Sequence, residues 1–304
     1  MDWLHNIDFN TQNGVYLPMI NDVARNQFYD KILTEVCDQQ CVEIGFGTGL
    51  LSMLALKHGA RSIIAYESDK ARYQLGCEII KILKLQDRIT LLNQHYDHTC
   101  NHPASIIFTE TVDGNIWGEG LYNSLPRATG TRFLPGQYFL EIYAAPISVE
   151  VAVKLTQAHE KNQFAPGVDV DAQFVSAINL LLSKKYHKPI KSKTSLPQGI
   201  TELSPQANCL KWATNNTYAG RYVVDANALF VDNPVRKLRV DTDKQPLLIV
   251  PRAGMQYGNE RLYLDTGHWQ SPKNPAVVNL PNSIVTITQD LCTGKITYKI
   301  EEKT

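Results

Sequence analysis

The chain has no apolar run long enough to cross a bilayer, so helical membrane spans are not expected. It has no surplus of either charge: thirty Lys and Arg face thirty Asp and Glu among 304 residues. Without a basic surplus there is no footprint for nucleic acid or an anionic membrane, and recognition of any basic partner must be local. Cysteines are few and unpatterned. The six, Cys37, Cys41, Cys77, Cys100, Cys209 and Cys292, show neither zinc-ligand spacing nor the rhythm of a disulfide framework. Cys37 and Cys41 flank a predicted strand entry and read as small buried hydrophobes. The opening MDWLHNIDFNTQNG lacks the basic start and apolar core of a secretory leader. A cytoplasmic, reduced protein with no metal is expected. Internal repeats and low-complexity segments are also missing.

What is present suits a folded protein with a substantial core. Hydrophobic residues make up 43% and charged residues 20%, and the length fits two domains or one large one. Ile20, Val23, Phe28, Ile32 and Leu33 fall on one face of a helix predicted over Met19–Val36. Strands are expected at Cys41–Ile44, Ser62–Tyr66, Ile89–Leu92 and Ile106–Phe108. Helices fall between them, one running from a cap at Ser68 or Asp69 through Leu83 with Ala71, Leu75, Ile79 and Ile82 inward. This alternation implies an α/β unit with a mostly parallel sheet over 1–145. After Pro146 the rhythm changes to short strand candidates, SVEVAVKL, PLLIVP, RLYLD, SIVTITQ and KITYKI, without long helices between them. That predicts a β-barrel or sandwich over 146–304. One interruption, Asp169–Lys184, is partly helical and reads as an inserted arm at about 165–190. The basic tract after it, KKYHKPIKSKTSLPQG, is most simply a solvated loop.

Two stretches carry chemistry. In the first, Glu43-Ile-Gly45-Phe-Gly47-Thr-Gly49 lies between a strand and a helix, where glycines let the backbone turn sharply and approach a ligand. The spacing is not that of a dinucleotide fingerprint, and no lysine stands ready for a triphosphate. The next strand ends in Glu67, placed to accept hydrogen bonds from both hydroxyls of a ribose. A glycine turn and an acidic strand end in one β–α–β unit point to a nucleoside cofactor without phosphates. In the second stretch, IIFTETVDGNIWGEGLYNSL, Glu110 follows an apolar strand and Glu119 lies nine residues on, across a glycine-bearing loop. Two carboxylates there form an acidic pocket, and a guanidinium matches it because its planar fork of donors pairs with carboxylates two at a time. Taken alone, each stretch also fits a plain turn or a solvated acidic loop.

EIGFGTGLLSMLALKHGA, followed by AYE, resembles the first motifs of S-adenosylmethionine-dependent methyltransferases, and of the protein arginine methyltransferase family in particular. MINDVAR, the spacing of Glu110 and Glu119, Gly267-His268-Trp269 and QDLCTGKITYKI match further family motifs in order, from about Tyr16 onward. The resemblance implies a Rossmann-like S-adenosylmethionine-binding domain and a β-barrel domain with an inserted helical arm that makes a homodimer. It implies that Arg25 holds the cofactor carboxylate, that Glu43, Gly45, Gly47 and Gly49 line the same moiety, that Glu67 holds the ribose, and that Asp97 lies by the adenine. Glu110 and Glu119 would grip the substrate guanidinium, Trp269 would wall its pocket, Asp113 and Tyr16 would also bind the substrate, and Glu110 or a His268–Asp22 pair would take the proton. The loop ETVDGNIWGEG departs from the dimethylating pattern, and its Asp113 looks closer to the monomethylating branch. The expected substrate is arginine, free or in a protein or peptide. A catalytically inactive scaffold of the same fold, or a methyltransferase acting on another small molecule, are the alternatives. The chain is expected to lack added recognition domains.

Overall fold

A computed structural model describes residues 22–97, 100, 104–112, 116–125, 130–150, 152, 200–202, 217–228, 234–242, 245–264, 276–280 and 282–303. The first half alternates helix and strand. Helix α1 (Val23–Ile32) starts where the Asp22 carboxylate accepts the Arg25 N–H at 3.1 Å, and a 3₁₀ turn, Leu33–Val36, continues it. The 3₁₀ turn occupies the last part of the longer helix expected from the sequence. There follow β1 (Gln40–Ile44), α2 (Leu50–Lys57), β2 (Ser62–Tyr66), α3 (Lys70–Ile82), β3 (Ile89–Leu92), β4 (Ile106–Thr109), α4 (Leu121–Ser124) and β5 (Arg132–Leu134). The five strands form one parallel sheet in the order β3-β2-β1-β4-β5. Strand order reverses at β1, whose neighbours are β2 and β4. In such sheets the crevice beyond the carboxyl ends of the strands at the reversal is the ligand position.

The second half is antiparallel. Its strands are β6 (Gln137–Pro146), β7 (Ile200–Glu202), β8 (Thr217–Asp225), β9 (Val235–Asp241), β10 (Leu247–Tyr257), β11 (Glu260–Tyr263), β12 (Ala276–Val278), β13 (Ser283–Asp290) and β14 (Ile296–Glu302). One sheet runs β7-β12-β10-β6-β8 with β11 paired to β10, and the other runs β14-β13-β9. Among the described residues these sheets do not close into a barrel, and the two of them are compatible with the sandwich alternative of the sequence reading. Along β13 burial alternates strictly, with Val285 and Ile287 inward, as a strand with one solvated face requires. The apolar run in β10 is buried on both faces: Leu247 and Ile249 join the main core, while Leu248 and Val250 join a second cluster with Ala145, Ile147 and Val277.

Several expectations are corrected. β6 is already hydrogen-bonded within the antiparallel sheet, so parallel strands give way to antiparallel ones at Pro135–Gly136. SVEVAVKL is not a strand at its described positions: Val149, Glu150 and Ala152 are helical. Ile82 is exposed, because the inward face of α3 turns on Gly76 and Ile80 instead. Cys41 is buried as expected, but Cys37 is exposed in the turn before β1. The arm at 165–190 lies outside the described residues.

A continuous core joins the two halves, running from Phe108 and Leu134 to Tyr138, Met255 and Val285. Polar contacts reinforce the joint. The buried Tyr29 hydroxyl donates to the Thr109 carbonyl at 2.9 Å and touches Met255 Sδ at 3.5 Å. Lys31 pairs with Glu260 at 2.5 Å, and Arg132 reaches both Glu35 and the Tyr257 hydroxyl. The parallel sheet and its ligand end are thereby fixed against the edge of the antiparallel half.

Candidate active site

Beyond the carboxyl ends of β1, β2 and β4 lies a cavity of about 410 Å³. Its floor is the glycine turn. Gly45 has φ +79°, and a Cβ there would fall 2.6 Å from Thr111 Cγ2, so both its conformation and its space demand glycine. Gly49, also at φ +79°, caps α2 against the Phe46 ring. The amides of Gly45 and Phe46 donate to the Tyr66 carbonyl at 3.0 and 2.9 Å, which ties the turn to the end of β2.

Glu67 follows β2 and is 3% exposed. Its Oε2 accepts the Gly47 N–H at 3.0 Å, and its Oε1 accepts the Asp69 N–H at 2.9 Å and Arg72 Nε at 3.1 Å. The carboxylate is therefore oriented by both the glycine turn and the start of α3. Glu43, on β1, is fully buried. The Ser52 hydroxyl donates to its Oε2, while Oε1 has no hydrogen-bond partner among the described residues. Burial pushes the Glu43 carboxyl up to about 8; the Ser52 hydrogen bond opposes the rise and the charge of Glu67 adds to it.

On the other side Glu110 stands at the end of β4 and Glu119 just before α4, and both line the cavity. Thr109 locks the strand end. Its hydroxyl donates to the Ile44 carbonyl at 2.9 Å and accepts the Thr111 N–H at 3.0 Å. Arg25, 6% exposed, reaches across from α1 to form an ion pair with Glu110, and its guanidinium lies 5.7 Å from the Tyr29 ring centroid. Burial lowers the Arg25 pKa, with Tyr29 and Asp22 opposing.

The structure thus gathers Asp22, Arg25, Glu43, Gly45, Gly47, Glu67, Glu110 and Glu119 around one cavity. Gly49 and Asp97 flank it, Asp97 one residue beyond Tyr96, which does line it. Tyr16, Asp113, His268 and Trp269 lie outside the described residues. The sequence reading overlooked the aromatic wall. Tyr66 and Tyr96 meet edge to face with centroids 5.0 Å apart, and both line the cavity. The signal was present in AYE and NQHYDH, where a tyrosine sits next to each acidic residue that was chosen. Arg72, one turn into α3, and Tyr263, at the end of β11, were also overlooked although both line the cavity.

No protein-family profile matches the chain. It is 30% identical over 189 residues to the protein arginine N-methyltransferase 9 of Mus musculus, a match covering 56% of this chain and 22% of that protein. It is 31% identical over 148 residues to the protein arginine N-methyltransferase 7 of Xenopus laevis, covering 42% of this chain and 22% of that protein. The chain thus matches less than a quarter of the length of these relatives. A crystal structure of PRMT6 with SAH superposes with a TM-score of 0.58 at 13% identity, covering 95% of this chain and 99% of that one. In sequence and in fold the chain is similar to the protein arginine methyltransferases.

Proposed function

We propose that the protein is an S-adenosylmethionine-dependent methyltransferase acting on the guanidino group of arginine. The observation that carries this reading is the shared cavity: the glycine turn, Glu67 and Arg25 meet the two carboxylates Glu110 and Glu119 in one space. The residues fit the cofactor. Glu67 offers an oriented carboxylate to a ribose, chiefly through Oε2, the Tyr66–Tyr96 pair offers an aromatic face to an adenine, and Arg25 offers a buried cation to a carboxylate. When bound, S-adenosylmethionine supplies an electrophilic methyl group.

The protein's own task is to make a poor nucleophile react. A free guanidinium is delocalised and protonated, with a pKa above 12. Glu110 and Glu119 orient one terminal nitrogen and hold positive charge on the others, so its lone pair becomes available along a fixed line. The proton that leaves that nitrogen after transfer passes to Glu110, a carboxylate at the cavity wall. Arg25 links the two sides, because the guanidinium that would meet the cofactor carboxylate is bonded to Glu110 in this structure. Arg25, were it to pair with a cofactor carboxylate, would release Glu110 to the acceptor.

Monomethylarginine is the proposed product, on the resemblance of the Asp113-bearing loop to the monomethylating branch. A homodimer formed through the arm at 165–190 is proposed on the apolar run within that segment of the sequence and its resemblance to the family's dimerisation arm. The 145/146 division belongs, in this reading, near Pro135, between a cofactor-binding unit and a β unit. A reducing, cytoplasmic setting agrees with the five described cysteines, all free thiols. The test is mass spectrometry after incubation with isotope-labelled S-adenosylmethionine and a panel of free arginine, arginine peptides and cell lysate. Labelled monomethylarginine is the expected product. Tight cofactor binding with no labelled arginine in any arm would sink the enzyme reading in favour of a scaffold.

A further inference from the structure

The hairpin of β13 and β14 is remote from the cavity in sequence, yet its turn rests on the loop that carries Glu119. A Cβ built at Gly294 would fall 2.7 Å from the Gly118 nitrogen, 2.9 Å from Gly118 Cα and 3.2 Å from the Trp117 carbonyl carbon. All three are backbone atoms, so no flexible side chain is there to yield. The loop itself has little freedom. Ile116 is held at φ +73°, an outlier for a β-branched residue that persists only where its surroundings over-determine it. Trp117 is fully buried, with its ring 5.5 Å from Tyr138 and 6.3 Å from Tyr122, centroid to centroid.

The hairpin turn is equally fixed. The Gly294 N–H donates to the Asp290 carbonyl at 2.8 Å, and Gln289, 1% exposed, donates from Nε2 to the Gly294 carbonyl at 3.4 Å. Leu291 is fully buried and its N–H donates to the Pro234 carbonyl at 2.9 Å, which seats the turn at the head of β9. A rigid tip thus meets a rigid loop one residue before Glu119.

We infer that the tip of the β13–β14 hairpin positions Glu119, acting through the backbone contact of Gly294 with Gly118. The inference rests on the reading of Glu119 as a carboxylate that grips the acceptor. Glu119 is bonded directly to Gly118, so any side chain at position 294 displaces the carboxylate relative to Glu110 across the cavity. A misplacement on the order of 1 Å costs a positioned reaction about a hundredfold in rate.

Three substitutions separate this contact from simple backbone strain. Gly294→Ala adds both a Cβ and the cost of its φ of +69°, whereas Gly294→Asn adds the Cβ with a residue that tolerates this conformation better. Gly258→Ala carries the same kind of φ, +55°, with nothing within 4 Å of the added Cβ. Both variants at 294 are expected to lose roughly ten- to a hundredfold in kcat/KM for an arginine acceptor, with calorimetric affinity for S-adenosylhomocysteine unchanged. Gly258→Ala keeps wild-type kinetics. Amides of 116–120 exchange faster with deuterium in the 294 variants, a readout that requires no turnover. If wild type methylates no arginine, the functional reading falls while the exchange data still decide whether the hairpin holds the loop. Wild-type kinetics in a folded Gly294→Asn protein would overturn the inference. If neither variant folds, native-state exchange of the wild-type protein decides: 116–120 and 291–295 should open as one unit, and separate opening free energies reject the contact.

Discussion

On one side of the cavity the lining groups, from Glu43 to Glu67, belong to a single β–α–β unit; on the other, Glu110, Glu119 and Tyr263 come from a strand end, a loop and the antiparallel half. The first side is wired locally. Gly47 donates to Glu67, Ser52 to Glu43, and the turn amides to Tyr66, all within one crossover. The second side is held by distant partners: Tyr29 on the end of β4, and the hairpin turn behind Glu119. Geometry on the first, proposed cofactor side should therefore survive many remote changes, while geometry on the proposed acceptor side should be sensitive to substitutions that touch neither ligand. Arg25 is the point at which the two sides meet.

The largest expected effect is on the acceptor side. Glu119→Gln should reduce turnover by about a hundredfold or more, because a guanidinium enclosed in the cavity is left with one carboxylate in place of two. Cofactor affinity should stay within about twofold, since a group on the acceptor side contributes little to it. Glu110→Gln should lose turnover as severely and should also change cofactor affinity, because it removes the carboxylate that pairs with the Arg25 guanidinium. Steady-state kinetics with calorimetry checks both, and identical cofactor affinities in the two variants would break the assignment of Arg25 as the link.

Next come the cofactor-side anchors. Arg25→Ala and Glu67→Ala should each weaken cofactor binding by roughly 1.5–3 kcal/mol, the range for a hydrogen bond to a charged group. Unchanged calorimetric affinity in both would remove the cofactor from this side of the cavity. A smaller effect is expected at the joint between the halves. Tyr29→Phe leaves the Thr109 carbonyl without its donor and should cost about 1 kcal/mol of stability, read as a lower denaturant midpoint at constant slope.

A pH effect sharpens the comparison on the local side. The Glu43 carboxyl titrates at about 8 in the folded chain, against about 4.3 when unfolded. Between these values the folded protein holds a proton that the unfolded chain has released. Stability from this group therefore falls as pH rises from about 4.3 to 8 and levels off above. Glu43→Gln should remove that slope, gaining on wild type at pH 8 relative to pH 5 in denaturant titrations. A variant whose advantage does not grow with pH would show that Glu43 is already ionised. The smallest effect is expected from Lys31→Ala, which breaks an exposed pair with Glu260 and should cost no more than about 1 kcal/mol, less in high salt.

The glycine turn, the acidic strand end and the two glutamates are legible in the sequence, because these depend on local conformation and on chemistry carried by neighbouring residues. Gly45 must be glycine for reasons visible within its own turn, and the alternation along β13 follows from one solvated face. Tertiary structure alone decided what those residues meet. The pairing of Arg25 with Glu110, the edge-to-face tyrosines and the change of architecture at Pro135 arise from strand order and packing between segments far apart in the chain. Ile82 looked inward by periodicity but is exposed, because Gly76 lets the other face of α3 approach the sheet. No local pattern announces that Gly294 must lack a side chain. The reason lies in a loop more than 170 residues earlier, and only the close packing of a folded core brings the two backbones together.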